Sequence, residues 1–255
     1  MPSSLPSEIL DLIVDHLRDE PVALKACCVA SKSWVSRTRR HLFACVEFHA
    51  EESTLQSWMK VFPDPSNSPA HYARSLLIRD PLIFTAASMN ARAWICAFHR
   101  VVHMGLDVLR WYGGQGSLVP LHGLSPILQT LSIFCTSIPL SETLSLICSF
   151  PSLENLTFMT LVDGRPDGWI IPPTSPKFTG TLSLWVGPRD GTRPTLRHLL
   201  DLPGGLHFSK ISVDFPIEDA ESTISLVSGC FDTLESLCIN CIFSGALLSA
   251  PMVDK

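Results

Sequence analysis

His99 and His103 lie four residues apart in ARAWICAFHRVVHMG, residues 91–105. On a helix that spacing puts both imidazoles on one face, where they could share a metal ion. A third ligand is needed, and no Glu or Cys stands at a telling distance. Phe98 and Val102 beside them point instead to a packing helix. Cys238 and Cys241 form one C-x-x-C within LESLCINC. On a strand, residues three apart face opposite ways, which suits neither zinc nor a disulfide, and no second C-x-x-C accompanies them. Cys27–Cys28 reads as small-residue helix packing. GGQG at Gly113–Gly116 reads as a flexible turn after LRWY. The basic run RTRRH, residues 37–41, could meet a phosphate or an acidic partner, or form a solvated helix face. The sequence contains neither the phosphate-cradling G-x-x-x-x-G-K-[ST] nor the nucleophile elbow G-x-S-x-G. No Ser/His/Asp order stands out. The residues therefore predict no catalytic group, no cofactor and no metal, and a protein that works by binding.

The composition sets the frame for that reading. Of 255 residues, 46% are apolar and 17% charged, which is enough apolar material for a sizeable core and too much for a disordered chain. The length suits a small domain joined to a larger one. The net charge of −5 argues against a nucleic-acid partner. The N-terminus lacks a basic region before its apolar run, so no signal peptide is expected. No apolar run approaches the ~18 residues of a membrane span. The nine cysteines fall mostly in apolar stretches such as ALKACCVAS and SLICSF, which predicts reduced, buried thiols and a cytoplasmic or nuclear protein.

Three short helices are expected before residue 47. Ser7 is placed as the cap of the first, with Glu8 near its positive end. Ile9, Leu10, Ile13, Val14 and Leu17 then recur at helical spacing. Asp19-Glu20-Pro21 breaks this helix and starts a second, with apolar positions Val22, Leu24, Ala26, Cys27 and Val29. Trp34 precedes the third. Beyond residue 50, ESTLQSWMKVF puts Leu55, Trp58, Met59 and Phe62 on one helical stripe. PDPSNSPAH is a loop, RSLLIRD a short strand, and ARAWICAFHRVVHMG a helix stopped by Gly105.

From Leu106 onward a pattern recurs: LDVLRW, LQTLSIF, LENLTFM, FTGTLSLWV, LHFSKISV and LESLCIN. Three of these share the form L-x-x-L-x-[IF], at Leu128/Leu131/Ile133, Leu153/Leu156/Phe158 and Leu234/Leu237/Ile239. Helical stretches SETLSLICSF, TLRHLLDL and EDAESTISLVSG fall between several of them. Strand, turn and helix repeated at about this period predict a leucine-rich-repeat-like solenoid with a parallel sheet over residues 50–255. The units are degenerate. The Asn or Cys that usually follows the strand is missing near Thr136, Leu161 and Ile242, and VDGRPDGWIIPPTSPK interrupts the spacing. No polar unit closes the stack after GALLSAPMVDK, which predicts a truncated product or a longer parent.

Residues 5–17, LPSEILDLIVDHL, followed by Trp34 and HLFACVEF, resemble an F-box. The residues that carry the resemblance are Leu5, Pro6, Glu8, Ile9, Leu10, Ile13, Leu17, Trp34, Leu42 and Phe43. It covers about 40 residues, expected as a domain at 3–47. The resemblance implies a substrate-recognition subunit of an SCF-type (Skp–cullin–F-box) ubiquitin ligase. The F-box would dock on the Skp adaptor, and through it a cullin scaffold. The repeats would hold a substrate protein, with no chemistry done by this chain. Leu5, Pro6, Ile9, Leu10, Ile13, Leu17 and Trp34 are the expected adaptor-binding residues, Trp34 chiefly as the internal pin of the three helices. A segment this small, with apolar residues on more than one helix face, independently asks for a protein partner. Ser132, Thr157 and Ser183 are expected on the exposed strand face, where a substrate would sit. Two alternatives stay open: an interaction scaffold without ubiquitination, and a divergent hydrolase with His99 or His103 beside a carboxylate in a cleft.

Overall fold

The computed structural model describes residues 6–49, 54–79, 91–107, 118–134, 138–159, 175–185, 198–216 and 220–242. Within them the chain is mixed α/β. The N-terminal helices are α1 (Ser7–His16), α2 (Pro21–Ala30) and α3 (Val35–Leu42), with a 3-10 turn at Lys32–Trp34 before α3. Then come β1 (Cys45–Phe48), α4 (Leu55–Val61), β2 (Ser75–Ile78), α5 (Ala91–Cys96), β3 (His103–Asp107), β4 (Thr130–Phe134), α6 (Leu140–Cys148), β5 (Asn155–Met159), β6 (Thr181–Trp185), β7 (Lys210–Pro216), α7 (Ala220–Gly229) and β8 (Ser236–Ile242).

The eight strands form one parallel sheet in chain order, each paired with the next. They start at residues 45, 75, 103, 130, 155, 181, 210 and 236, a repeat of 25–30 residues. One junction recurs at each step. The carbonyl just before a strand accepts two successive N–H groups of the next unit: Ala44 from Arg74 and Ser75, Arg74 from Val102 and His103, Val102 from Gln129 and Thr130, and Gln129 from Glu154 and Asn155. Gly180 and Ser209 repeat it toward β7 and β8. At β6 the pattern changes. Glu154 keeps the Gly180 N–H, while the Asn155 side-chain Oδ1 accepts from Thr181 N–H at 2.8 Å. Residue 180 is glycine because a Cβ there would collide with the Asn155 carboxamide.

The register stacks like on like. Val46, Leu76, Met104, Leu131, Leu156, Leu182, Ile211 and Leu237 form one inward row. Phe48, Ile78, Leu106, Ile133, Phe158, Leu184, Val213 and Ile239 form the second. From β1 to β7 every member of both rows is 5% exposed or less. At β8, which no further strand among the described residues covers, Leu237 is 44% and Ile239 42% exposed. Each unit thus buries its apolar face only against its neighbours, and burying one such side chain contributes roughly 1.5–3 kcal/mol. Leu55, with Trp58, Met59 and Phe62, packs on this core as the helical stripe predicts.

Three sequence expectations are corrected here. The stretch 91–105 is not one helix: α5 ends at Cys96, and residues 103–107 are strand β3, with Gly105 in its middle rather than at a stop. Met104 and Leu106 alternate with exposed or half-buried neighbours, so period two overrides the helical reading. A Cβ at Gly105 would meet Leu77 Cδ1 of the adjacent strand at 2.7 Å, which accounts for the glycine. The domain edge expected at 47 falls inside β1, which is hydrogen-bonded into the sheet. Finally, Pro6 rather than Ser7 occupies the cap of α1, and its carbonyl accepts from the Ile9 and Leu10 N–H groups.

Candidate partner-docking surface

The three N-terminal helices have an interior of their own. Val14, Leu24, Cys27 and Thr38 are buried, and none of them belongs to the continuous core that runs from Val46 to Cys230. Pro21 opens α2 at its first position, where the missing N–H costs nothing. α3 packs against α1, α2 and the 3-10 turn Pro69–Tyr72 that precedes β2.

A polar tie fixes α1 on α3. Arg37 and His41 stand one turn apart on α3 and reach the same carboxylate, Asp15. Arg37 Nε donates to Asp15 Oδ1 at 2.7 Å, and Arg37 Nη2 donates to Oδ2 in a bidentate pair. His41 Nε2 lies 2.7 Å from Asp15 Oδ1, and Asp11 stands 3.8 Å from Arg37 Nη1. Hydrogen bonds from Arg37 and His41 hold the Asp15 carboxyl well below the usual carboxylate range, and the Asp15 carboxylate raises the Arg37 guanidinium in turn. The tie was legible in outline: two acids four apart on α1 complement two bases four apart on α3. It also divides the RTRRH run. Arg37 and His41 face inward to Asp15, while Arg39 and Arg40 are exposed.

With that interior closed, α1 and α2 still turn apolar side chains to solvent. Ile9 and Ile13 are exposed, Leu12 is 64% exposed, and on α2 Val22 and Val29 are 80% and 89% exposed. Ile9, Leu12 and Ile13 follow the i, i+3, i+4 spacing of one helix face. Leu12, Val22 and Val29 were not among the expected contact residues; Leu12 was findable because it completes the stripe begun by Ile9 and Ile13. Pro6 is exposed, Leu10 and Leu17 are half-buried, and Leu5 lies outside the described residues. Trp34 sits in the 3-10 turn before α3 and is only half-buried, so it is not the enclosed pin expected from the sequence. The space between the helices is filled by Leu24, Cys27 and Thr38 instead.

The other candidates resolve differently. His99 lies in the turn after α5 and His103 opens β3; they share no helix, and both are exposed. His99 Nδ1 bonds the Ala97 carbonyl at 3.1 Å. Among the described residues no group of three His, Cys, Asp or Glu is placed to hold a metal. Cys238 is exposed on β8. The expectation of buried thiols holds for Cys27 and Cys230, but Cys45, Cys96 and Cys238 are exposed. Cys45 and Cys238 lie on the outward face of their strands, and Cys96 ends α5. GGQG at residues 113–116 lies outside the described residues. Ser132, Thr157 and Ser183 stand in register across β4, β5 and β6, continued by Ser212 and Cys238, on the face opposite the apolar rows. Among the described residues no helix is long and apolar enough to cross a membrane.

Comparison with protein-family models, with curated proteins and with solved structures gives no match.

Proposed function

We propose that this chain is a substrate-recognition subunit of an SCF-type ubiquitin ligase. In this reading helices α1 to α3 are an F-box that docks on the Skp adaptor, and the strands that follow are a degenerate leucine-rich-repeat-like solenoid that binds the substrate protein. One observation carries the proposal. A three-helix segment closed around its own interior keeps an apolar stripe on α1, Ile9, Leu12 and Ile13, and Val22 and Val29 on α2, turned to solvent. Exposed apolar area of this kind, on the helices where LPSEIL resembles the docking motif, is what a helix-groove partner requires. The parallel stack supports the second half: its outward row of small side chains, Ser132, Thr157, Ser183 and Ser212, with Trp185 54% exposed on the same face, suits contact with a protein ligand.

The test is binding of the whole chain to purified Skp adaptor, wild type against Ile9→Ala/Leu12→Ala/Ile13→Ala. All three side chains are exposed, so circular dichroism should show an unchanged fold. Loss of at least about thirtyfold in affinity is expected, the effect of one hot-spot residue or more. Unchanged affinity in the variant, or no binding by the folded wild type, refutes the assignment.

A further inference from the structure

The sheet has a second open end at β1, and its hydrogen bonding can be read from the ladder. Ala44 gives its carbonyl to Arg74 and Ser75, at 2.8 and 3.0 Å, and Phe48 gives its carbonyl to Arg79 at 2.7 Å. In a parallel ladder alternate residues face the same neighbour. Ala44, Val46 and Phe48 therefore face β2, and the peptide groups of Cys45 and Glu47 face away from the sheet. Beside them runs a cleft of about 350 Å³ whose walls are all four residues of β1 and the α4 side chains Trp58, Val61 and Phe62. Its floor is aromatic. Trp58 sits 5.8 Å from Phe43, 5.9 Å from Phe48 and 4.9 Å from Phe62, ring centre to ring centre. Val61 is 68% exposed at its rim. The Trp58 indole N–H is buried and meets no acceptor, a costly state for a group that normally finds a partner.

We infer that this cleft binds an extended peptide of a partner protein, which adds a ninth strand to the sheet along β1. The two features fix the chemistry of the occupant. Outward peptide groups at Cys45 and Glu47, two residues and therefore about 6.8 Å apart, match the repeat of an extended backbone and no other element. The aromatic floor takes one apolar side chain of that peptide. Recognition is by main-chain hydrogen bonds with an apolar side chain at alternate positions, the strand-addition mode. The inference stands apart from the adaptor-docking reading, since it uses neither α1 nor α2.

The experiment uses the full chain, isotopically labelled, and an acetylated heptapeptide of alternating threonine and valine. The control is the same peptide N-methylated at every residue, which keeps the side chains and removes the backbone donors of both edges. At saturating peptide, amide exchange at Cys45 and Glu47 is expected to slow by about tenfold or more. The methylated peptide should bind at least about tenfold more weakly. Val61→Glu, at an exposed position that leaves the fold intact, should weaken binding by a similar factor. Equal binding of both peptides, no binding at millimolar peptide, or unchanged exchange at those two amides overturns the inference. So does concentration-dependent self-association that protects the same amides without peptide, since the occupant is then a second copy of the chain.

Discussion

Leu156 and Leu237 sit in the same inward row of the sheet, three strands apart, and differ in one respect. Leu156 is fully buried between neighbours on both sides, and Leu237 is 44% exposed on the last strand. Leu→Ala removes three carbons. At about 0.8 kcal/mol per buried methylene, the transfer loss at Leu156 is about 2.4 kcal/mol. The enclosed void left between β4 and β6 adds to it, so Leu156→Ala should cost about 3–4 kcal/mol in total. At Leu237 nearly half of the transfer loss has no basis, because that area is already wet, and no closed cavity forms. Leu237→Ala should cost about 1 kcal/mol. Urea unfolding followed by far-UV circular dichroism measures both, as midpoint shifts at constant slope. A threefold or larger ratio is expected. Equal losses would refute the reasoning, because they would mean that β8 is as enclosed as β5 and that stacking order does not govern stability along the sheet.

Thr38 is fully buried in the helical segment, and its hydroxyl has no hydrogen-bond partner. Thr38→Val keeps the shape and removes the unsatisfied group, so it should stabilise the chain by about 1 kcal/mol, read as a raised urea midpoint; a loss of stability would show that the hydroxyl is satisfied in solution. Asp15→Asn should lower the melting temperature at pH 7 by removing the Arg37 and His41 tie. The sign of its pH dependence follows from the depressed folded pKa. The tie contributes fully above the ordinary carboxylate value and is lost as the pH falls below about 4 toward the folded value. The gap between wild type and variant should therefore close on acidification, and a gap that widens below pH 4 would contradict the geometry.

Strands β4 to β8 were legible because each carries apolar residues at alternate positions after a leading leucine or, at β6, Phe178, and turn residues bound them. LQTLSIF, LENLTFM and FTGTLSLWV each contain an observed strand, as does RSLLIRD, and LHFSKISV and LESLCIN contain the first residues of β7 and β8. β3 was misread because VVHMGLD follows directly on a helical stripe. Val101, Val102, Met104 and Leu106 satisfy either period over so short a run, and only the neighbouring strand, through Leu77 against Gly105, decides it. β1 was assigned to the tail of the helical segment, although Cys45-Val46-Glu47-Phe48 alternates plainly; nothing local says which sheet an edge strand will join. Exposure was the least legible quantity. Ile9 and Val14 are equally apolar and stand on one helix, yet one is exposed and the other fully buried. That difference comes from where α3 and the 3-10 turn before it pack on α1, which period alone does not encode.

The apolar exposure on this protein is of two kinds, and only one of them argues for a partner by itself. At β8 the exposure of Leu237 and Ile239 follows from geometry: units that bury their cores only against neighbours must leave an open face wherever the described strands stop. The helical segment has no such excuse. Its interior is closed by Val14, Leu24 and Cys27, its helices are tied by Asp15, and it gains nothing from neighbours by holding Leu12, Val22 and Val29 in water. Replacing any of these by a polar residue should leave the fold as stable and the chain more soluble, which is why they argue for the proposed partner rather than for folding. The cleft at β1 falls between the two. Its apolar floor belongs to the end of the stack, and it becomes a docking argument only through the peptide groups of Cys45 and Glu47, which face away from β2 and pair with no backbone group among the described residues, and which apolar packing of a neighbour could not satisfy.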